Sequence, residues 1–129
     1  NNLCKSFPKK FQFKQKKIYL TLLLSNNESI KKLNKKFRNK NKHTDILSFP
    51  FNQRSKVSKE IYLGDIIISI NYMNKPKNLS TYDFKEKVVK IFIHGFLHLL
   101  NFNHIKEKDY IKMFKEEQKI FKSVKKFIN

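Results

Sequence analysis

The sequence predicts an α+β fold: a small mixed sheet of about three to four strands, with helices packed around a central helix that carries histidines. Segments with apolar residues at every second position are interspersed with segments in which apolar residues recur every three or four positions. The 129 residues are 40% hydrophobic, which is enough to fill one core despite the high lysine content. We therefore expect residues 1–129 to form a single domain with helices against one sheet.

Three segments have the composition of strands. Residues 17–24 place Ile18 and alternating leucines on one face. Residues 44–51 alternate apolar and polar side chains, and Pro50 restricts the end of that strand to a sheet edge or a bulge. Residues 62–70 are dense in β-branched side chains. A polar loop over residues 52–60 separates the second strand from the third.

Helices are predicted between and after these strands. In the first, residues 28–39, Ile30, Leu33 and Phe37 recur at helical spacing among lysines. A second helix begins at the capping residue Ser80 and runs to about residue 100, apolar nearly all round towards its end, as a buried central helix would be. From residue 108 the apolar pattern of a last amphipathic helix includes Ile111, Phe114, Phe121, Val124 and Ile128. Residues 1–16 are read as a short amphipathic helix broken near Pro8.

The charge of the chain has two readings. Lys plus Arg number 29 against 10 Asp plus Glu, a formal charge of +19, and such an excess is typical of proteins with a polyanionic partner, most often nucleic acid. Codon bias towards Lys and Asn would produce the same excess without any function. The lone Cys4 excludes an internal disulfide and suits a reducing compartment. No segment is long and apolar enough to span a bilayer, and residues 1–17 do not resemble a signal peptide, so we expect a cytoplasmic protein.

Three of the four histidines lie within eleven residues. His94 and His98 are spaced i, i+4, which places both imidazoles on one face of a helix. His104 can return to the same point if the helix ends near Asn101, a residue type that tolerates the left-handed conformation. This spacing is known from zinc ligands. Three neutral imidazoles leave the fourth position of a tetrahedral zinc open for water, and the pKa of a zinc-bound water falls to about 7. The sequence therefore predicts a catalytic zinc site of the metal-hydrolase kind.

A zinc peptidase is the first alternative, but its essential acid is missing. Peptidases with this histidine spacing carry a glutamate directly after the first histidine, as general base for the attacking water. Here that position is Gly95, which has no acidic or basic group. A peptidase is thus the less favoured kind of zinc hydrolase.

The sequence resembles the YbeY family of bacterial rRNA maturation endoribonucleases in three separate blocks. One block is His94-Gly-Phe-Leu-His-Leu-Leu-Asn-Phe-Asn-His104. The others are Leu33-Asn34 with Phe37-Arg38 and Thr44-Asp-Ile-Leu-Ser-Phe-Pro50, and Leu63-Gly-Asp-Ile66. The resemblance implies an α+β fold, a zinc held by His94, His98 and His104, cleavage of single-stranded rRNA, and a role in ribosome quality control, with precursor rRNA and the ribosome or a subunit as partners.

The resemblance also implies a functional arginine beside the metal, at the position of Arg38. We expect its guanidinium to stabilise negative charge on the phosphate during attack of the zinc-bound water. Asp45, Asp65 and Asn103 are candidates for hydrogen bonds that orient the ligand histidines, and His43 is read as a surface residue near the mouth of the site.

Three positions depart from the family pattern, and two of them bear on the site. The family usually has Leu-Gly-Tyr-Asp-His where this chain has Leu100-Asn-Phe-Asn-His104. Asn101 can adopt the turn conformation of the glycine, whereas Asn103 removes a carboxylate. An alternative function follows from that loss: an RNA- or ribosome-binding assembly factor with a structural or vestigial metal site.

Overall fold

The computed structural model describes residues 17–51 and 60–128 of the chain. Its elements are β1 (Lys17–Ser25), α1 (Asn27–Arg38), β2 (Ile46–Pro50), β3 (Glu60–Ser69), α2 (Ile70–Met73), α3 (Thr81–Leu99) and α4 (Glu107–Val124), followed by a 3-10 turn (Lys125–Phe127). The α+β fold expected from the sequence is confirmed. The expected helix in residues 1–16 and the loop in residues 52–59 lie outside the described residues.

The sheet has three strands in the order β1-β3-β2. Strand β1 pairs with β3 in parallel, and β2 pairs with β3 antiparallel. Since β3 is the middle strand and is covered on both faces, it consists mainly of buried side chains, which explains its run of β-branched residues. Pro50 ends β2 at the edge of this sheet opposite Gly64, in agreement with the sequence prediction.

Side chains cap the starts of two helices, and the cap at Ser80 is the one predicted from the sequence. Asn26 caps α1 by accepting from the Ser29 N–H, and Ser80 caps α3 by accepting from the Asp83 N–H. The one-turn helix α2 was not predicted, because Ile70 to Met73 continues the apolar composition of β3 and gives no periodic signal over four residues.

The main core lies where α3 packs between the sheet and α4. Leu63, Ile66 and Ile68 of β3 contact it from the sheet side, and Met113 and Ile120 from α4. The C-terminal half of α3 supplies five buried residues, so the expectation of a buried central helix is confirmed. This burial holds the backbone that carries the histidines in a fixed position.

The apolar spacing of the two amphipathic helices includes three residues that the structure leaves exposed. Phe37 is 59% exposed although it follows Ile30 and Leu33 at helical spacing. In α4, Ile111 and Phe114 are about half exposed, and the buried face runs instead through Met113, Glu116 and Ile120. A hydrophobic pattern could not select this face, because one of its members is a glutamate.

Candidate metal centre

The histidines of α3 face each other one helical turn apart. The Nε2 atoms of His94 and His98 lie 3.0 Å apart, and each side chain is partly exposed. His104, beyond the end of the helix, brings its ring centroid to 5.4 Å from that of His94 and 5.1 Å from that of His98. One ligand nitrogen from each of the three rings lies within 4.8 Å of the others. The three histidines therefore form a cluster that could hold a metal ion.

The turn at the end of α3 creates this cluster. Asn101 has φ 69°, the left-handed conformation expected from the sequence. Its N–H donates to the His98 carbonyl, and the Phe102 N–H donates to the Leu97 carbonyl, each at 3.0 Å. This pair of bonds is a Schellman motif. The motif reverses the direction of the chain after α3. His104 is thereby brought back to the face of α3 that carries His94 and His98.

The same turn orients His98. The Phe102 carbonyl lies 2.9 Å from Nδ1 of His98. A carbonyl only accepts, so Nδ1 must carry the proton and donate it, which leaves the lone pair on Nε2. His98 therefore presents a neutral Nε2 to the cluster.

Glu117 of α4 orients His94 in a similar way. Its Oε1 lies 2.9 Å from Nδ1 of His94. An ionised carboxylate accepts the Nδ1 proton and directs the lone pair of Nε2 towards His98. Sequence reasoning did not identify Glu117, because it lies on another element 23 residues after the histidine that it contacts.

Burial lowers the pKa of His98 below the ordinary histidine value of 6.5. Neighbouring positive charge on His94, His104 or Arg38 acts in the same direction, while the Phe102 carbonyl partly opposes it. The neutral ring, which is the form that binds metal, is thereby favoured at neutral pH.

The donor set fits a transition metal. The Nδ1 atoms of His94 and His98 both contact acceptors elsewhere, which leaves their Nε2 atoms facing each other at 3.0 Å. A cation bound by both Nε2 lone pairs would be held between the two rings. Two ligands on a tetrahedral zinc with bonds of about 2.0–2.1 Å are about 3.3 Å apart, close to the separation observed.

Gly95 has a structural reason to lack a side chain. It packs against the sheet, where an added Cβ would lie 2.6 Å from Cδ1 of Ile46, 3.0 Å from Oγ of Ser48 and 3.2 Å from Cγ2 of Ile66. The Ser48 hydroxyl donates to the Gly95 carbonyl at 3.2 Å. A side chain at this position, such as the glutamate of a peptidase, would require the Ile46, Ser48 and Ile66 side chains to shift.

Arg38 is the last residue of α1 and is held against β2. Its Nη2 donates to the Ser48 carbonyl at 2.8 Å, and its guanidinium carbon lies 5.6 Å from the centroid of the Phe49 ring. Its positive charge contributes to the lowered pKa of His98. Arg38 is thus anchored to the sheet and is close enough to His98 for its charge to act on that ring.

The three residues considered as partners of the histidines have other contacts among the described residues. Asp65 accepts a hydrogen bond from the Tyr62 hydroxyl, which raises the pKa of Tyr62. Asp45 accepts from the Thr44 hydroxyl at 3.1 Å, and Asn103 accepts from the Ile105 N–H at 3.3 Å. Their orienting role remains a prediction.

A groove of about 510 Å³ opens beside the cluster. His94, Glu117, Asp45 and Tyr72 are among the residues that line it. His43 is close to this wall, since its Nδ1 lies 2.9 Å from the Tyr72 hydroxyl. It is not a member of the histidine cluster, consistent with its reading as a residue near the mouth of the site.

The fold and the cluster define an α+β protein with a candidate three-histidine metal centre on its central helix. Within residues 17–51 and 60–128, none of the helices combines the length and apolar character needed to cross a membrane.

The comparisons with known proteins agree on one family. A family model described as "Endoribonuclease YbeY" matches residues 1–125. An endoribonuclease YbeY of Pelagibacter ubique is 64% identical over 125 residues, which cover 97% of this chain and 82% of the relative. One of Persephonella marina is 31% identical over 113 residues, covering 87% and 74%. The chain belongs to the endoribonuclease YbeY family.

A solved structure supports the fold. The solution structure of a protein from Thermotoga maritima matches with a TM-score of 0.51 and 25% sequence identity, covering 83% of this chain and 68% of that one.

Proposed function

We propose that this protein is a zinc-dependent endoribonuclease that cleaves single-stranded precursor rRNA. The observation that carries the proposal is the convergence of the three histidine ligand nitrogens within 4.8 Å, in a chain of this family. Family membership supports RNA as the substrate, and the nitrogen donor set favours zinc over a hard cation such as magnesium. We further propose that it acts in the cytoplasm on the ribosome or a ribosomal subunit, in rRNA maturation and quality control.

His94, His98 and His104 would hold the metal. Zinc at this position supplies Lewis acidity, which lowers the pKa of a water and polarises a phosphate oxygen. The contributions of the chain are the fixed tautomers of His94 and His98, set by Glu117 and by the Phe102 carbonyl. These contacts would keep both lone pairs directed at the metal throughout the reaction.

Arg38 would bind the phosphate at which cleavage occurs. A guanidinium has five N–H donors in a planar fork, and the bond to Ser48 anchors the group through Nη2. The remaining donors can bind two phosphate oxygens and stabilise the charge that develops on them. Lysines elsewhere on the surface would add affinity that does not depend on sequence and that falls with salt.

The proposal is tested by RNA cleavage with and without a chelator, followed by restoration of zinc. We expect cleavage of an unstructured RNA to stop in chelator and to return when zinc is added. Casein serves as the substrate for the peptidase alternative, and we expect no cleavage of it because Gly95 provides no general base after the first histidine. Cleavage that persists in chelator would contradict the proposal.

Replacing His98 by Ala should abolish stoichiometric zinc binding, because the metal loses one of three ligands and the Phe102 carbonyl loses its partner. Elemental analysis of the purified variant is the measurement. His43→Ala is the matched control and should keep its zinc, since His43 contacts Tyr72. If His98→Ala retains one zinc per chain, the metal site is misassigned.

Replacing Arg38 by Ala should leave zinc bound and lower the single-turnover cleavage rate by about 100-fold or more, the usual effect of removing a charge-stabilising donor. Arg38→Lys keeps the charge but loses the planar fork, and we expect only partial recovery. Unchanged cleavage by Arg38→Ala would exclude its catalytic role.

The alternative of an RNA-binding assembly factor is favoured by one feature, the amide of Asn103 where the family usually has a carboxylate. Its distinguishing result is salt-sensitive RNA binding by the zinc-loaded protein without metal-dependent cleavage.

A further inference from the structure

Phe37 is a large aromatic residue left in solvent beside the candidate site. It lies on the same helical stripe as Ile30, which is fully buried, yet 59% of Phe37 is exposed. Single exposed apolar residues are common on proteins, so exposure alone carries no conclusion. The surroundings of this ring are more informative.

The Phe37 ring is held in place while much of its surface stays open. It packs edge to face against Phe49, with centroids 5.5 Å apart and an interplanar angle of 63°. Phe49 also carries the guanidinium of Arg38 at 5.6 Å. One residue of β2 thus positions both the exposed ring and the proposed phosphate-binding group, side by side.

The charge around the ring suits a polyanion. Residues 31–42 contain seven cationic residues and no acidic one. Lys36 Nζ lies 5.2 Å from the Phe37 centroid. A strand of phosphates can follow this surface, whereas an apolar protein partner would have to bury uncompensated lysines.

We infer that Phe37 stacks on an unpaired nucleobase of the RNA strand, next to the phosphate bound by Arg38. Proteins that bind single strands combine a cationic surface with aromatic rings on which bases stack, and such stacking tolerates any base because every base has a π-face. Stacking would hold the strand in register at the metal and would select single-stranded over paired RNA, since a paired base is not free to stack. This inference rests on the proposed function.

The test measures binding separately from cleavage. Fluorescence anisotropy with a labelled, unstructured RNA in chelator gives Kd for the wild-type chain and for Phe37→Ala. We expect at least about fivefold weaker binding by the variant. The slope of log K against log salt should not change, because no phosphate contact is lost. Phe37→Trp should bind at least as well as the wild type.

An abasic scan of the RNA identifies the base. Removing the base at one position of the RNA should weaken its binding to the wild-type protein. The same removal should leave the affinity of Phe37→Ala unchanged. Phe37→Leu separates stacking from packing, because it retains an apolar contact with Phe49 but lacks a π-face. The matched control is Phe127→Ala: Phe127 is 45% exposed and has Lys126 Nζ at 5.3 Å from its centroid, but lies beyond the far end of α4.

The outcomes separate the two proposals. Wild-type affinity in Phe37→Ala or Phe37→Leu, or an abasic penalty that persists in Phe37→Ala, would overturn the stacking role while leaving the endoribonuclease proposal intact. A wild-type chain that neither binds nor cleaves RNA would overturn both. If Phe37→Ala unfolds, Phe37→Leu and Phe37→Trp decide the question.

Discussion

At the scale of residues, the tautomers of the histidines matter as much as their positions. His94 and His98 would approach each other on any helix, but their lone pairs converge only because Nδ1 of each has an acceptor. These acceptors come from outside α3, one from Glu117 and one from the backbone of Phe102. The candidates named from sequence were Asp45, Asp65 and Asn103, and neither Glu117 nor the Phe102 carbonyl was among them.

Replacing Glu117 by Ala should weaken zinc binding by about 10- to 100-fold, since the ring of His94 loses the contact that sets its tautomer. Competition with a chromophoric chelator measures the affinity. Glu86→Ala is the control, because Glu86 lies on the same groove but pairs with Lys90 at 2.9 Å. Equal zinc affinities of the two variants would mean that Glu117 does not orient the ligand.

At the scale of elements, the end of α3 determines whether the third histidine can join the first two. A helix that continued past residue 100 would carry His104 about 15 Å from His94 along its axis. The left-handed residue Asn101 stops the helix and starts the return. The departure from the family's glycine is therefore compatible with the turn, as the sequence predicted.

Replacing Asn101 by Ala should destabilise the protein by about 1 kcal/mol, because a Cβ without a local polar contact is unfavourable at φ 69°. The zinc affinity should fall as well, since the same turn positions the Phe102 carbonyl and His104. Asn101→Gly should keep both stability and affinity. Urea unfolding and zinc titration measure the two quantities. If Asn101→Ala has the same stability and the same zinc affinity as Asn101→Gly, the turn is not strained by a Cβ.

At the scale of the whole molecule, the metal site joins parts of the chain that fold around one core. Helix α3 supplies two histidines, the turn after it supplies the third, α4 supplies Glu117, and α1 supplies Arg38. We propose that residues 1–129 form one metal-hydrolase-like domain. The formal net charge of +19 favours the approach of a polyanion to the molecule as a whole.

Thermal unfolding of the metal-free chain should show a single transition. Far-ultraviolet circular dichroism and tyrosine fluorescence should report it at the same temperature. Zinc at about 100 times its Kd should stabilise the folded state by about 2.7 kcal/mol and shift the whole transition. His98→Ala should show no such shift. Separate transitions for the two probes would contradict a single domain.

The local sequence determined much of the architecture. Alternation and β-branched composition identified the strands, the capping residue Ser80 located the start of α3, and the spacing of His94 and His98 placed two imidazoles on one face. The asparagine at position 101 indicated where the helix ends. Each of these signals acts within a few residues, so it can be read without knowing what packs against what.

Contacts between distant segments were decided only by the tertiary structure. Sequence reasoning missed Glu117 and misjudged the faces of Phe37, Ile111 and Phe114, because the side of a helix that is buried depends on its neighbours. The close packing of the Ile46 and Ser48 side chains against Gly95, which favours a residue without a side chain there, is visible only in the structure. Local chemistry thus established which residues could bind a metal, whereas packing decided which groups orient them and which ring stays open to solvent.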